Sequence, residues 1–100
     1  MFELNDTTYT LRFNKQKIKT VELTTGASVV SAMTANKGIL SYQMVESLFV
    51  AGLVEEKGLV AVKQKEALAI FDKLVEDLGL ISINVAVIEK MQEDMGFLFR

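Results

Sequence analysis

The chain has 100 residues, about the size of one domain, and its 50% hydrophobic and 24% charged residues are typical of a globular protein. Cys and His are absent, which excludes a disulfide framework and metal sites built from thiolate or imidazole ligands. The net charge of −2 does not indicate nucleic-acid binding.

The charge is unevenly distributed along the chain. Residues 1–65 contain eight basic and six acidic side chains, whereas residues 66–100 contain three basic and seven acidic ones. A mildly basic end and an acidic end could attract copies of the chain head to tail. For any single residue, solvation of an exposed surface is the simpler explanation.

No targeting or membrane-spanning segment is predicted. The N-terminal "MFELNDTTYT" lacks the basic start and the apolar core of a signal peptide. A membrane helix needs about 18 consecutive apolar residues. The longest uncharged stretches, 23–36 and 78–88, are shorter and contain polar residues. We therefore expect a soluble, intracellular protein with no membrane partner.

Residues 2–13 predict a β-hairpin. Apolar and polar residues alternate on both sides of "NDTT" at 5–8, and Asn, Asp and Thr are typical turn residues. We expect strands over 2–4 and 8–13. Because two strands alone are only marginally stable in water, this hairpin should pack on helices.

Two short helices are predicted next. Asn14 can cap a helix over 15–25, which Gly26 would end. Residues 27–35, "ASVVSAMTA", are rich in small residues and are interpreted as a second helix, although the two valines also suit a strand. Residues 36–38, "NKG", are expected to form a loop.

The stretch "MVESLFVAGLV" at residues 44–54 is more apolar than a helix with one buried face requires. Ser41 can cap this third helix, which we expect to run to about Glu56. The side of this helix opposite its apolar face begins with polar residues, but it continues through Val50 and Val54. Two explanations are open: burial at the centre of the monomer, or contact of this stripe with another chain.

Two longer helices are predicted in the second half. Residues 62–79 have an apolar face at helical spacing, with Lys, Glu and Asp on the other sides and Gly79 at the end. Residues 82–96 place Ile and two Met on one stripe and are interpreted as the last helix. The apolar "FLFR" follows at 97–100.

These elements predict one α+β domain over residues 1–100 that is predominantly α-helical. It consists of an N-terminal β-hairpin over 1–14 and a helical body over 15–100 with four to five short helices. No linker or low-complexity segment divides it.

The sequence favours a non-catalytic protein without a cofactor or metal ion. General acid–base catalysis at neutral pH most often uses His, and a nucleophilic Ser needs a His partner. The carboxylate pairs at 55–56, 76–77 and 93–94 are adjacent in sequence, so their side chains point to different sides of a helix. The six glycines are too scattered to form a phosphate-binding loop.

A small basic patch gives the one indication of nucleic-acid binding. Its cations are Arg12, Lys15, Lys17 and Lys19. Aromatic residues next to such a cluster are typical of phosphate-contacting surfaces. The acidic chain and the lack of a basic recognition helix favour an ordinary solvated surface, so nucleic acid is not an expected partner. A small DNA-binding regulator is the alternative function.

The opening "MFELNDTTYTLRFN", with its strand–turn–strand pattern, and "LFVAGL" at 48–53 resemble the small tail assembly chaperones of long-tailed bacteriophages. Members of that family have about this length, a short N-terminal strand pair and apolar helices. The resemblance implies a chaperone that coats the helical tape measure protein and keeps it soluble until tail-tube subunits polymerise. It also implies self-association into rings or spirals, in the host bacterial cytoplasm and not in the mature virion.

In such a chaperone, the surplus apolar side chains would contact other copies and the client helix. The predicted partner and oligomer interface consists of Met44, Val50, Val54, Met91, Met95, Phe97, Leu98 and Phe99. A phage tail or head–tail structural adaptor that stays in the virion is a further alternative.

Overall fold

A computed structural model describes residues 2–100, apart from the side chain of Asn36; residue 1 of the predicted 1–14 hairpin lies outside this description. The described strands are β1 (Phe2–Leu4), β2 (Thr7–Leu11), β3 (Leu53–Glu55) and β4 (Val60–Ala61). The described helices are α1 (Lys15–Thr25), α2 (Val29–Thr34), α3 (Tyr42–Gly52), α4 (Gln64–Leu78) and α5 (Leu80–Met95). The predicted α+β, predominantly helical fold is confirmed.

The N-terminal hairpin forms as predicted. Strands β1 and β2 pair antiparallel, with Phe2 opposite Tyr9. The turn between them places Asn5 and Asp6 at φ of 51° and 65°, a left-handed conformation that these two residue types tolerate better than most. The second strand runs over 7–11, so it begins one residue earlier than predicted and ends two residues earlier.

The sheet has two strands that the sequence analysis missed. Its order is β1-β2-β3-β4, with every pair antiparallel. The third helix therefore ends at Gly52 rather than near Glu56, because the next three residues pair with β2, Leu53 opposite Leu11. The predicted helical body over 15–100 is corrected accordingly, since it supplies half of the sheet.

Helix α1 has the predicted bounds. The Asn14 side chain accepts a hydrogen bond from the Lys17 backbone N–H at 2.9 Å, and Gly26 adopts a φ of 70° at the other end. Helix α2 is shorter than predicted because Ser28 caps it. The predicted loop that follows, 36–38, is a 3-10 turn.

Helix α3 lies at the centre of the molecule, where it packs against α1, α4 and α5. Its Phe49 ring lies 5.6 Å from Phe2 and 5.4 Å from Phe71, measured between ring centroids. This aromatic cluster joins the sheet, α3 and α4 in one core. Much of the apolar surplus in 44–54 is therefore buried within the monomer.

Helix α5 follows α4 after a single residue. That residue, Gly79, has φ 87° and ψ 152°, a conformation available almost only to glycine. The buried Asn84 of α5 accepts a hydrogen bond from the Leu40 N–H and donates one to the Gly38 carbonyl, at 3.0 and 3.1 Å. These bonds fix the segment before α3 onto α5.

A 3-10 turn over Gly96–Phe99 follows α5 and packs against it. Across the described residues, no helix combines the length and hydropathy needed to cross a membrane.

Candidate functional site: an apolar cleft and an exposed helix face

A cleft of about 370 Å³ lies over α3, between α1 and the beginning of α4. Its polar lining side chains are Thr20, Thr24, Gln43, Ser47 and Gln64, and Glu46 supplies one carboxylate. Its apolar side chains are Val21, Val50, Ala51, Val62 and Leu68. We call this surface the α3 cleft.

The unusual stripe of α3 faces this cleft. Gln43, Glu46, Ser47 and Val50 follow one another at helical spacing, and all four line the cleft. Val50 is half-buried and packs against the core. The change from polar to apolar residues along this stripe therefore gives the cleft a polar end and an apolar end.

Four residues of the predicted interface are not available to a partner. Met44, Val54, Met91 and Met95 are all less than 5% exposed within the subunit. The prediction that these four residues lie at the surface is wrong. Met44 belongs to the central helix α3, and Val54 lies in β3 rather than on a helix. Met91 and Met95 belong to α5, which packs against α3. The three methionines belong to the core cluster, and Val54 is buried within the sheet.

The other predicted interface residues are at least partly accessible. Val50 lines the α3 cleft, whereas the terminal segment lies elsewhere. Leu98 and Phe99 are half-buried against the core, and Phe97 is 46% exposed. The structure therefore does not bring the predicted interface together as one surface.

An apolar surface that was not predicted lies on α5 and on the segment that precedes α3. Ile39, Ile81 and Val85 are 63%, 78% and 47% exposed, and with the half-buried Ile88 they border a depression of about 490 Å³. We call these four side chains the α5 patch. The sequence contains a signal for this patch, because residues 78–88 carry no charged side chain and are mostly apolar.

The predicted basic patch does not present four free cations. The Lys17 ammonium group donates a hydrogen bond to the Arg12 carbonyl at 2.8 Å, and burial lowers the pKa of Lys17, an effect that nearby Asp94 partly opposes. The Lys15 ammonium group lies 5.7 Å from the centre of the Phe97 ring. Arg12 and Lys19 are exposed.

The α3 cleft offers apolar contact, hydrogen bonds and one negative charge. Among the described residues, no group of three or more carboxylates is placed to hold a metal ion. A lining of this kind allows non-covalent contact with another molecule. Comparisons with protein-family models, curated proteins and solved structures found no match for this chain.

Proposed function

We propose that this chain is a non-catalytic chaperone that binds apolar helical segments of a phage tape measure protein in the α3 cleft and self-associates through the α5 patch. The observation that carries the proposal is the cleft itself, in which the half-buried side chains of Val50, Val62 and Leu68 are partly accessible between two helices. The likeness of the N-terminal sequence to phage tail assembly chaperones supplies the client.

The cleft has the form used in helix-in-groove recognition. Two helices form its walls, a third forms its floor, and both apolar and hydrogen-bonding side chains line it. Its volume holds a few side chains, which suits the anchor residues of one helix face rather than an entire helix. A long helical client would therefore be covered by many copies, each holding a short segment.

The α5 patch suits contact between copies. It carries charges of both signs at its border, Lys37 and Glu89. In a two-fold pairing every contact occurs twice, so Lys37 of each copy can face Glu89 of the other while the isoleucines meet between them. Such a pairing closes a dimer; a ring or spiral requires the patch to contact a different surface of the next copy.

Co-expression tests the client assignment. The tape measure protein encoded in the same phage genome should be soluble and co-purify with this chain, and Val50→Asp should abolish both effects. Val50 is half-buried, so thermal melting must show that the variant folds; Val50→Thr, which keeps the branched shape, serves as a milder second variant. A tape measure protein that is equally soluble without the chain would contradict the proposal.

Action before tail completion, in the host cytoplasm, is part of the same proposal. A chaperone should be present in infected cells and absent from purified virions by mass spectrometry. Its detection in virions at a fixed copy number would instead favour the structural adaptor.

A further inference from the structure

The α3 cleft contains one ionisable side chain among its described lining residues, Glu46. This carboxylate is half-buried on the second turn of α3. Within the described part of the chain it has neither an ion-pair partner nor a hydrogen-bond donor. Solvent is therefore what hydrates this carboxylate while the cleft is open.

A partner that covers the cleft removes some of this water. A carboxylate that loses its hydration without gaining a cation or a donor opposes binding. The neutral amides and hydroxyls beside it, from Gln43 and Ser47, carry no compensating charge. A partner with a positively charged side chain at this position would turn the penalty into an attraction.

We infer that the segment bound in the α3 cleft is an amphipathic helix that carries a Lys or Arg next to its apolar anchors, with the cation paired to Glu46 and the anchors against Val50 and Leu68. This inference rests on the proposed client cleft and adds the charge of the client face. Arg suits the position especially well, because its guanidinium group can donate two parallel hydrogen bonds to one carboxylate.

The test uses the complete chain and three designed amphipathic helical peptides of ~15 residues, a length at which helices begin to be stable in water. The peptides share one leucine and alanine face and differ at a single adjacent position, which is Lys, Gln or Glu. Binding is measured by fluorescence anisotropy at low and high salt, and backbone amide shifts of Thr24, Ser47 and Leu68 report whether the peptide occupies the cleft.

We expect the Lys peptide to bind about fivefold to tenfold more tightly than the Gln peptide, and the difference to shrink in high salt. Glu46→Gln should abolish the difference, and Glu46→Lys should reverse it in favour of the Glu peptide. Glu66→Gln is the matched control, because Glu66 is exposed on α4 outside the cleft and its loss changes the net charge equally.

The possible failures are distinguishable. If the three peptides bind the cleft with equal affinity, the charge inference is overturned while the helix-binding function stands. If no peptide binds, or the amide shifts lie outside the cleft, both are overturned. A preference for Lys that Glu66→Gln also removes would mean attraction by overall charge, and would overturn the role of Glu46.

Discussion

Asn84 shows how one polar side chain can organise the region around the α5 patch. It is 8% exposed, and its amide bonds to both the Leu40 N–H and the Gly38 carbonyl. These backbone groups belong to the irregular segment between α2 and α3, in which Leu40 is buried and Gly38 is partly buried, so the Leu40 N–H in particular needs this partner. The same segment carries Ile39, so Asn84 also positions part of the α5 patch.

Asn84→Ala should lower the free energy of unfolding by about 1–3 kcal/mol, because the buried Leu40 N–H and the partly buried Gly38 carbonyl lose their partner. Chemical denaturation followed by circular dichroism measures the loss. Ser82→Ala is the control, since Ser82 is exposed on the same helix and should change stability by less than about 0.5 kcal/mol. Equal midpoints for the two variants would show that water replaces the amide at no cost.

Lys17 gives a prediction about pH. Burial lowers the pKa of Lys17 below its ordinary 10.5, more than Asp94 raises it. Between the lowered pKa and 10.5, the unfolded chain binds more protons at this site than the folded one, so this group makes the free energy of unfolding rise with pH. At neutral pH, Lys17 carries its full desolvation penalty.

The measurement is the difference in unfolding free energy between the wild type and Lys17→Gln, taken at several values from about pH 8 to the pKa of a free lysine. The unfolding free energy of the wild type should increase relative to that of the variant as the pH rises. A carbon-detected NMR titration of the Lys17 side chain should give a midpoint below 10.5. A relative loss of wild-type stability over this interval would mean that attraction to Asp94 outweighs burial.

At the scale of elements, the end of α3 depends on Gly52. A Cβ atom at this position would lie 2.7 Å from two ring carbons of Phe13, which is itself buried. The Gly52 carbonyl also accepts a hydrogen bond from the Arg12 N–H at 2.9 Å, so helix and hairpin approach closely here. Glycine is required by this contact rather than by its backbone angles.

Gly52→Ala should therefore destabilise the fold by about 1–3 kcal/mol through overpacking. Gly96→Ala is the matched control, because a Cβ there meets nothing within 4 Å and the backbone is right-handed helical. That variant should be neutral or slightly stabilising. Adding Phe13→Leu to Gly52→Ala should recover part of the loss; no recovery would place the strain elsewhere.

The elements that depend on local chemistry could be predicted from the sequence, and those that depend on distant pairing could not. Asn14 and Gly26 define both ends of α1 within a few residues of chain. Strand β3, by contrast, is three residues long and its partner β2 lies more than 40 residues earlier. The segment "GLVEEKGLV" at 52–60 contains β3, the turn and the start of β4, and its Gly58 adopts a φ of 79° in that turn.

The candidate site shows the same limit. Val50 could be singled out because it interrupts a polar stripe, but the residues that face it come from α1 and α4 and are known only once the helices pack. The buried methionines were wrongly predicted to lie at an interface for a different reason. A helix that contacts neighbours on several sides needs apolar residues all round, so a surplus alone does not separate a central helix from an interface.

At the scale of the whole molecule, we expect a substitution in the exposed α5 patch to prevent self-association without unfolding the subunit. Ile81→Asp should leave helix content and thermal stability nearly unchanged, because the side chain is 78% exposed and a carboxylate suits the first turn of a helix. It should reduce the mass measured by light scattering during size-exclusion chromatography to that of the monomer.

Leu23→Asp is the control for that experiment. Leu23 is 87% exposed on α1, outside the α5 patch, and its replacement adds the same charge without touching the proposed contact. Assembly that survives Ile81→Asp, or that is lost equally in Leu23→Asp, would contradict self-association through α5.

The pairing of β2 with β3 also has a consequence for biosynthesis. During translation, the β1–β2 hairpin leaves the ribosome before residues 53–55 are made. The backbone groups on one side of β2 therefore lack their β3 partners while α1, α2 and α3 emerge. Closing this long loop has an entropic cost that the local β1–β2 hairpin does not have. We therefore expect ribosome-bound chains to resist protease only after β3 has cleared the exit tunnel.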